Sequence, residues 1–215
     1  MDKLAGKHKS VLAFDCEFWR ANKRFFPREL GGFYITKDDD GWAYDGDFLV
    51  TFSPPQKQHI SYVSSAFSVV GARTRNKLDK IQNRIQNDHE DLDKESVDTY
   101  LADSNVKKHH RPHSALKKFM TMYSQSLIVV KGKEDIEALK NACEEYGITY
   151  THPAGVFDIA TWNPQSIKKC GTAKLEGTYK CLEKDLKHYD FLPLGRAHDP
   201  RSDAAMAFLI ALYLA

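Results

Sequence analysis

The chain has 215 residues, 42% hydrophobic and 28% charged, with a formal net charge of +2. That is enough chain for one α/β domain with a full core, and it excludes a global basic field, so any basic surface must be local. No stretch approaches the ~20 apolar residues of a membrane span. Met1 to Ser10 has charges but no apolar run of signal-peptide length, so a cytosolic or nuclear setting is the expectation. The cysteines at 16, 143, 170 and 181 follow no regular spacing, and no disulfide framework is expected.

In chain order, the apolar run Ser10 to Asp15 predicts a buried strand that delivers a carboxylate at its end. Phe33-Tyr-Ile-Thr36 and Phe48-Leu-Val-Thr-Phe52 are β-branched and aromatic, and they flank the turn-rich Asp38-Asp-Asp-Gly41. They predict an antiparallel meander, which the pair Pro54-Pro55 is expected to end. Residues 72–113 are polar, with Leu78, Ile81, Ile85 and Leu92 as a thin helical stripe, and predict a helical insertion within the single domain 1–215.

Order resumes with an amphipathic helix from Ser114 to Ser124, an apolar strand Leu127–Val130, and a helix from Asp135 to Tyr146 with Gly147 as its C-terminal stop. Gly155 to Ile159 reads as a further strand, Leu182 to Tyr189 as a helix, and Asp203 to Leu214 as an apolar final helix. A meander followed by alternating helices and strands predicts an α/β fold with a mixed sheet flanked by helices. There is no internal repeat and no low-complexity tract.

Asp15 and Glu17 lie two apart on a strand, so both carboxylates point to one face. Side by side they repel unless a cation sits between them, and hard oxygen ligands suit Mg²⁺ or Mn²⁺. Taken alone, the pair is more often a solvated strand end. Asp135 opens a helix, where an acid also serves the helix dipole, and Glu134 competes for the same role. His198 precedes Asp203 on the approach to the last helix, and a loop histidine can take a proton near neutral pH. Ser202 or Asp203 alternatively caps that helix.

In combination these residues resemble the DEDDh class of 3′–5′ exonucleases, which have an RNase H-like fold. Val11-Leu-Ala-Phe-Asp-Cys-Glu17 is similar to the family's strand with Asp-x-Glu, and Ala197-His-Asp-Pro-Arg-Ser-Asp-Ala-Ala205 to its His-x4-Asp helix start. Gly155-Val-Phe-Asp158 resembles the strand after the second motif, and Leu182-Glu-Lys-Asp-Leu186 the helix before the third. The resemblance spans residues 10–53 and 114–215. The second motif, Lys131-Gly-Lys-Glu-Asp135, lacks the Asn and Phe found before the Asp in many members. It is closer to the divergent branch of the arenavirus nucleoprotein exonuclease and Maelstrom-like domains.

The resemblance implies hydrolysis of RNA or DNA from a 3′ end, single-stranded or duplex, releasing nucleoside 5′-monophosphates. It implies two Mg²⁺ or Mn²⁺ ions, one held by Asp15, Glu17 and Asp203 and one by Asp15 with Asp135 nearby, and His198 as the base. Phe18 and Trp19 would meet terminal bases, and Arg20, Lys23, Arg24 and Arg28, with Phe25 and Phe26 among them, would face phosphates. Core packing is an equal alternative for Phe18, and an edge position for Trp19. Divergent members also hold a structural Zn²⁺, for which Cys170, Cys181 and His188 are the candidates, with Glu29 as a further one. A Maelstrom-like module that binds RNA with little catalysis is the alternative. An internally cutting RNase H-like nuclease or a phosphodiesterase of very short RNA are further rivals. The sequence points to no membrane partner and to no particular oligomeric state.

Overall fold

A computed structural model describes residues 1–53, 55, 60–63, 112–161, 169–195 and 198–215. The expected polar insertion at 72–113 lies outside these residues except for its last two. The chain begins with a one-turn helix α1 (Asp2–Ala5), then strands β1 (Ser10–Ala21), β2 (Arg24–Asp38), β3 (Gly41–Thr51) and β4 (Ile60–Val63). Helix α2 (Pro112–Gln125), β5 (Leu127–Val130), α3 (Glu134–Glu145), β6 (Gly155–Asp158), α4 (Leu175–Leu182) and α5 (Pro200–Leu214) follow. Together they make an α/β fold around one open mixed sheet.

The sheet runs β3-β2-β1-β5-β6, with β4 also paired to β1. β1, β2 and β3 form the antiparallel meander that the sequence predicts, whereas β5 and β6 join parallel to β1. The β1–β2 turn is a two-residue one in which Asn22 and Lys23 both have positive φ, at 50° and 64°. That geometry matches the twist of the paired strands and suits Asn. At the next turn the Asp38 carboxylate accepts the N–H groups of Asp40 and Gly41.

Alternation along β1 divides the core into two layers. Val11 and Ala13 join Phe33, Ile35 and the α5 residues Phe208 and Ile210 on one face. Leu12, Phe14 and Cys16 join Phe119 and Tyr123 of α2 and Leu139 of α3 on the other. Edge-to-face rings lock each layer: Phe33 on Phe208 at 5.2 Å and Phe14 on Phe119 at 5.3 Å. The buried sheet therefore has α5 against one face and α2 and α3 against the other.

Four expectations are corrected. β1 continues past Asp15 to Ala21, because β2 pairs with it along its whole length. Pro54-Pro55 does not end the sheet, since β4 follows and pairs with Trp19–Ala21. The helix expected at 182–189 instead covers Leu175–Leu182 and stops where it was predicted to start. Leu186 and Tyr189, whose apolar character suggested the helix, pack on the core as turn and loop residues. Finally, Cys170 and Cys181 form a disulfide, because α4 carries Cys181 back to within 5.7 Å (Cα–Cα) of Cys170. Cys16 and Cys143 are free and buried. No helix among the described residues is long and apolar enough to cross a membrane.

Candidate functional site

The long β1 has one continuous neighbour, β2, but shares its other edge. β5 pairs with Val11–Ala13 and β4 with Trp19–Ala21. Between them, from Phe14 to Phe18, that edge has no strand partner among the described residues, and Asp15 and Glu17 fall in this gap. A backbone N–H left open there needs an acceptor. The Asp135 carboxylate supplies it, accepting the Cys16 N–H at 2.9 Å from the first turn of α3. Asp135 is buried at 4% exposure, so the structure turns this residue, rather than Glu134, onto β1.

Asp203 arrives from the other side of the sheet. It lies in the first turn of α5, whose cap is Asp199, its side chain accepting the Arg201 N–H. The Arg201 guanidinium also binds the Asp199 carboxylate and Asp47 of β3, which ties the start of α5 to the meander. Gly31, opposite Asp15 in β2, makes this approach feasible: a Cβ there would stand 2.9 Å from Pro200 Cγ and 3.0 Å from the Arg201 nitrogen. His198 adopts a positive φ of 65°, and its N–H donates to Asp203 Oδ2 at 3.2 Å. Its Nδ1 lies 3.7 Å from Glu17 Oε1. Donor atoms of Glu17, His198 and Asp203 all lie within 4.8 Å of one another, close enough to hold a metal ion.

The electrostatics record the crowding. Burial, then the charges of Asp135, Asp203 and Glu17, push the Asp15 carboxyl well above its ordinary range, while Lys131 opposes them. Asp135 is raised by burial, against the pull of the Cys16 N–H. Burial and the nearby Glu17 push Asp203 up to about 7, against the neighbouring His198. The nearby Glu17 carboxylate raises His198. Raised carboxylates that face one another favour a nearby positive charge, whether a side chain or a bound cation. Among the described residues, Glu17, His198 and Asp203 form the group whose donor atoms could together hold a metal ion, with Asp15 and Asp135 beside it.

Asp15, Glu17 and Asp203 open into a cleft of about 470 Å³ that Phe18, Arg20, Phe25 and Lys131 also line. Phe18 and Phe25 stack obliquely at 5.3 Å, and the Arg20 guanidinium lies 5.4 Å from the Phe25 centroid. Trp19 does not take part. It is 1% exposed, under the Arg28 guanidinium, so the expectation that it meets bases is corrected. The strand register shifts between Glu17 and Phe18, and beyond that irregularity Phe18 and Arg20 line the cleft while Trp19, between them, turns away. Phe25 lines the cleft from the basic and aromatic stretch expected to face nucleic acid, and Lys131, to which no role was assigned from sequence, lines it from the start of the second motif.

The expected zinc candidates do not converge. Cys170 and Cys181 are joined to each other, and the His188 side chain is 82% exposed and paired with Asp190 at 2.8 Å. Glu29 is buried in β2, opposite Glu17. Sulfurs bonded to each other offer no thiolate to a metal. No protein-family model matches the chain, and no curated protein matches it in sequence.

Proposed function

We propose that this chain is a 3′–5′ exonuclease of the DEDDh type on an RNase H-like fold. It would hydrolyse phosphodiester bonds of RNA or DNA and release nucleoside 5′-monophosphates. The observation that carries the reading is the meeting of Asp15, Glu17, Asp135, His198 and Asp203 from three elements and a loop at the open edge of β1. The sheet order and the meander-first chain order support the fold assignment.

Divalent ions held by the four carboxylates would neutralise their charge and stabilise the attacking and leaving oxygens of an in-line displacement at phosphorus. His198 takes the proton of the attacking water, and its contact with Glu17 increases its proton affinity, which suits a base. Its place on the loop before α5, anchored through its N–H to Asp203, orients it over the acids. Phe18 and Phe25 offer the terminal base a stacking surface, and Arg20 a cation for the adjoining phosphate.

The test is degradation of 5′-labelled single-stranded and duplex RNA and DNA with Mg²⁺ or Mn²⁺, beside Asp15→Ala and an EDTA control. The expected result is a ladder that shortens from the 3′ end and is absent in both controls. Binding without cleavage of any substrate would replace this reading with that of a nucleic-acid-binding module.

A further inference from the structure

The acid cleft is one of two adjoining lobes, which share Lys131, Leu175, His198 and Asp203. The first lobe carries the aromatic wall of Phe18 and Phe25. The second, of about 610 Å³, has no Phe, Tyr or Trp among the described residues that line it; Thr172, Lys174 and Lys180 stand there instead. Each volume is in the range of about 300–1,000 Å³ typical of small-molecule sites. One nucleotide fits a lobe, and the pair of lobes suits a strand rather than a monomer.

The charge of the second lobe is local and accountable. Lys180 is paired with Glu176 at 2.6 Å, which neutralises both. Among the described residues, Lys131 at the junction and Lys174 on the outer rim then remain as its lysines, with Asp203 on the side of the acids. The rim is also braced. Thr172 Oγ1 accepts the Lys174 N–H at 3.1 Å, the Thr172 carbonyl accepts the Thr178 hydroxyl at 3.4 Å, and the Cys170–Cys181 disulfide closes the segment. Gly177 leaves room for this packing, since a Cβ there would stand 2.8 Å from Thr172 Cγ2. These contacts fix the backbone that carries Lys174, so its exposed side chain reaches the lobe from a set position.

We propose that the lysine-lined lobe is a second subsite, which receives the backbone phosphate of the nucleotide next to the one being removed. This rests on the polynucleotide reading of the acid cleft and deepens it. The aromatic lobe then holds the terminal base, the carboxylates hold the scissile phosphate, and Lys131 and Lys174 hold the next phosphate along the strand. The consequence is a length requirement: a dinucleoside monophosphate brings only the scissile phosphate, whereas a longer strand also brings the one that the second lobe receives.

The experiment compares kcat/KM on a dinucleoside monophosphate without a 5′-phosphate and on a 10-mer for the wild type, Lys174→Gln and Lys174→Arg. The expected result is a wild-type preference for the 10-mer that falls on the order of tenfold in Lys174→Gln and returns in Lys174→Arg, which keeps the charge. The slope of log affinity against log salt for a single-stranded phosphorothioate 10-mer should fall by about 0.7 in Lys174→Gln, one phosphate contact. An unchanged preference together with an unchanged slope overturns the proposal, as does an equal loss on both lengths. If the wild type cleaves neither substrate, the 10-mer binding slope decides alone. A reduced slope in Lys174→Gln then keeps the subsite while the exonuclease reading fails, and an equal slope removes both.

Discussion

At the residue scale, the site is a set of acids kept together against their mutual repulsion. Asp203 has a folded-state value of about 7 against an ordinary 3.8, so between those limits the folded chain binds more protons than the unfolded one. Its contribution to stability is therefore full below about pH 3.8 and is lost as the pH rises through about 7. Asp15 and Asp135 are raised as well and act in the same direction, and so does His198, whose stabilising contact with Glu17 needs the proton. Thermal unfolding in EDTA should show a melting temperature that declines from pH 5 to pH 8. Mn²⁺ should reduce the decline, and Asp203→Asn should flatten part of it. A melting temperature that is level with pH in EDTA would contradict the crowding. The base role of His198 is tested separately: His198→Ala should lower kcat by roughly 10²–10⁴-fold while the Mn²⁺-induced rise in melting temperature persists. A variant that cleaves at the wild-type rate would remove the histidine from the chemistry.

At the element scale, the decisive feature is the close approach of α5 to the meander. Gly31 makes the approach feasible, and the Arg201 guanidinium holds it through Asp199 and Asp47. Gly31→Ala places a methyl within 3.0 Å of the Arg201 backbone nitrogen, which cannot rotate away. Overpacking of this kind costs about 1–3 kcal/mol. Because the displaced turn carries His198 and Asp203, activity should fall more than stability accounts for, on the order of 10–100-fold. Gly195→Ala is the comparison, since a Cβ there meets open space within 4 Å. Denaturant midpoints and cleavage rates of the two variants, measured side by side, check the argument. Equal behaviour of the two would mean that the α5 approach has slack that the geometry denies.

At the scale of the whole molecule, two helical layers enclose the sheet, and the short segment from Cys170 to Cys181 closes one end of the cleft. A link between residues 11 apart removes a modest amount of freedom from the unfolded chain, so its loss should cost about 2–3 kcal/mol. Thiol counting in denaturant is expected to find two reactive cysteines, Cys16 and Cys143, before reduction and four after it. Cys170→Ser should lower the denaturant midpoint correspondingly. Four thiols without reductant, or one equivalent of bound zinc by elemental analysis, would restore the zinc expectation in place of the disulfide.

Much of this was legible along the chain because it is local. Alternation set the two faces of β1 and so put Asp15 and Glu17 together, and the apolar runs marked β5 and α5. Apolar character also marked Leu182 to Tyr189, yet no local signal there separated a helix from a packed loop. What the sequence left open was settled by pairing at long range. The length of β1 depends on β2, and the gap in its other edge depends on where β5 and β4 stop. Asp135 was preferred over Glu134 by an unpaired N–H 119 positions away in the chain, and Trp19 was buried while Phe18 met the cleft. Composition and spacing determined which acids the chain holds and which of them share a strand face. Only the fold decided which backbone groups were left without partners, and those open groups drew the remaining side chains into place.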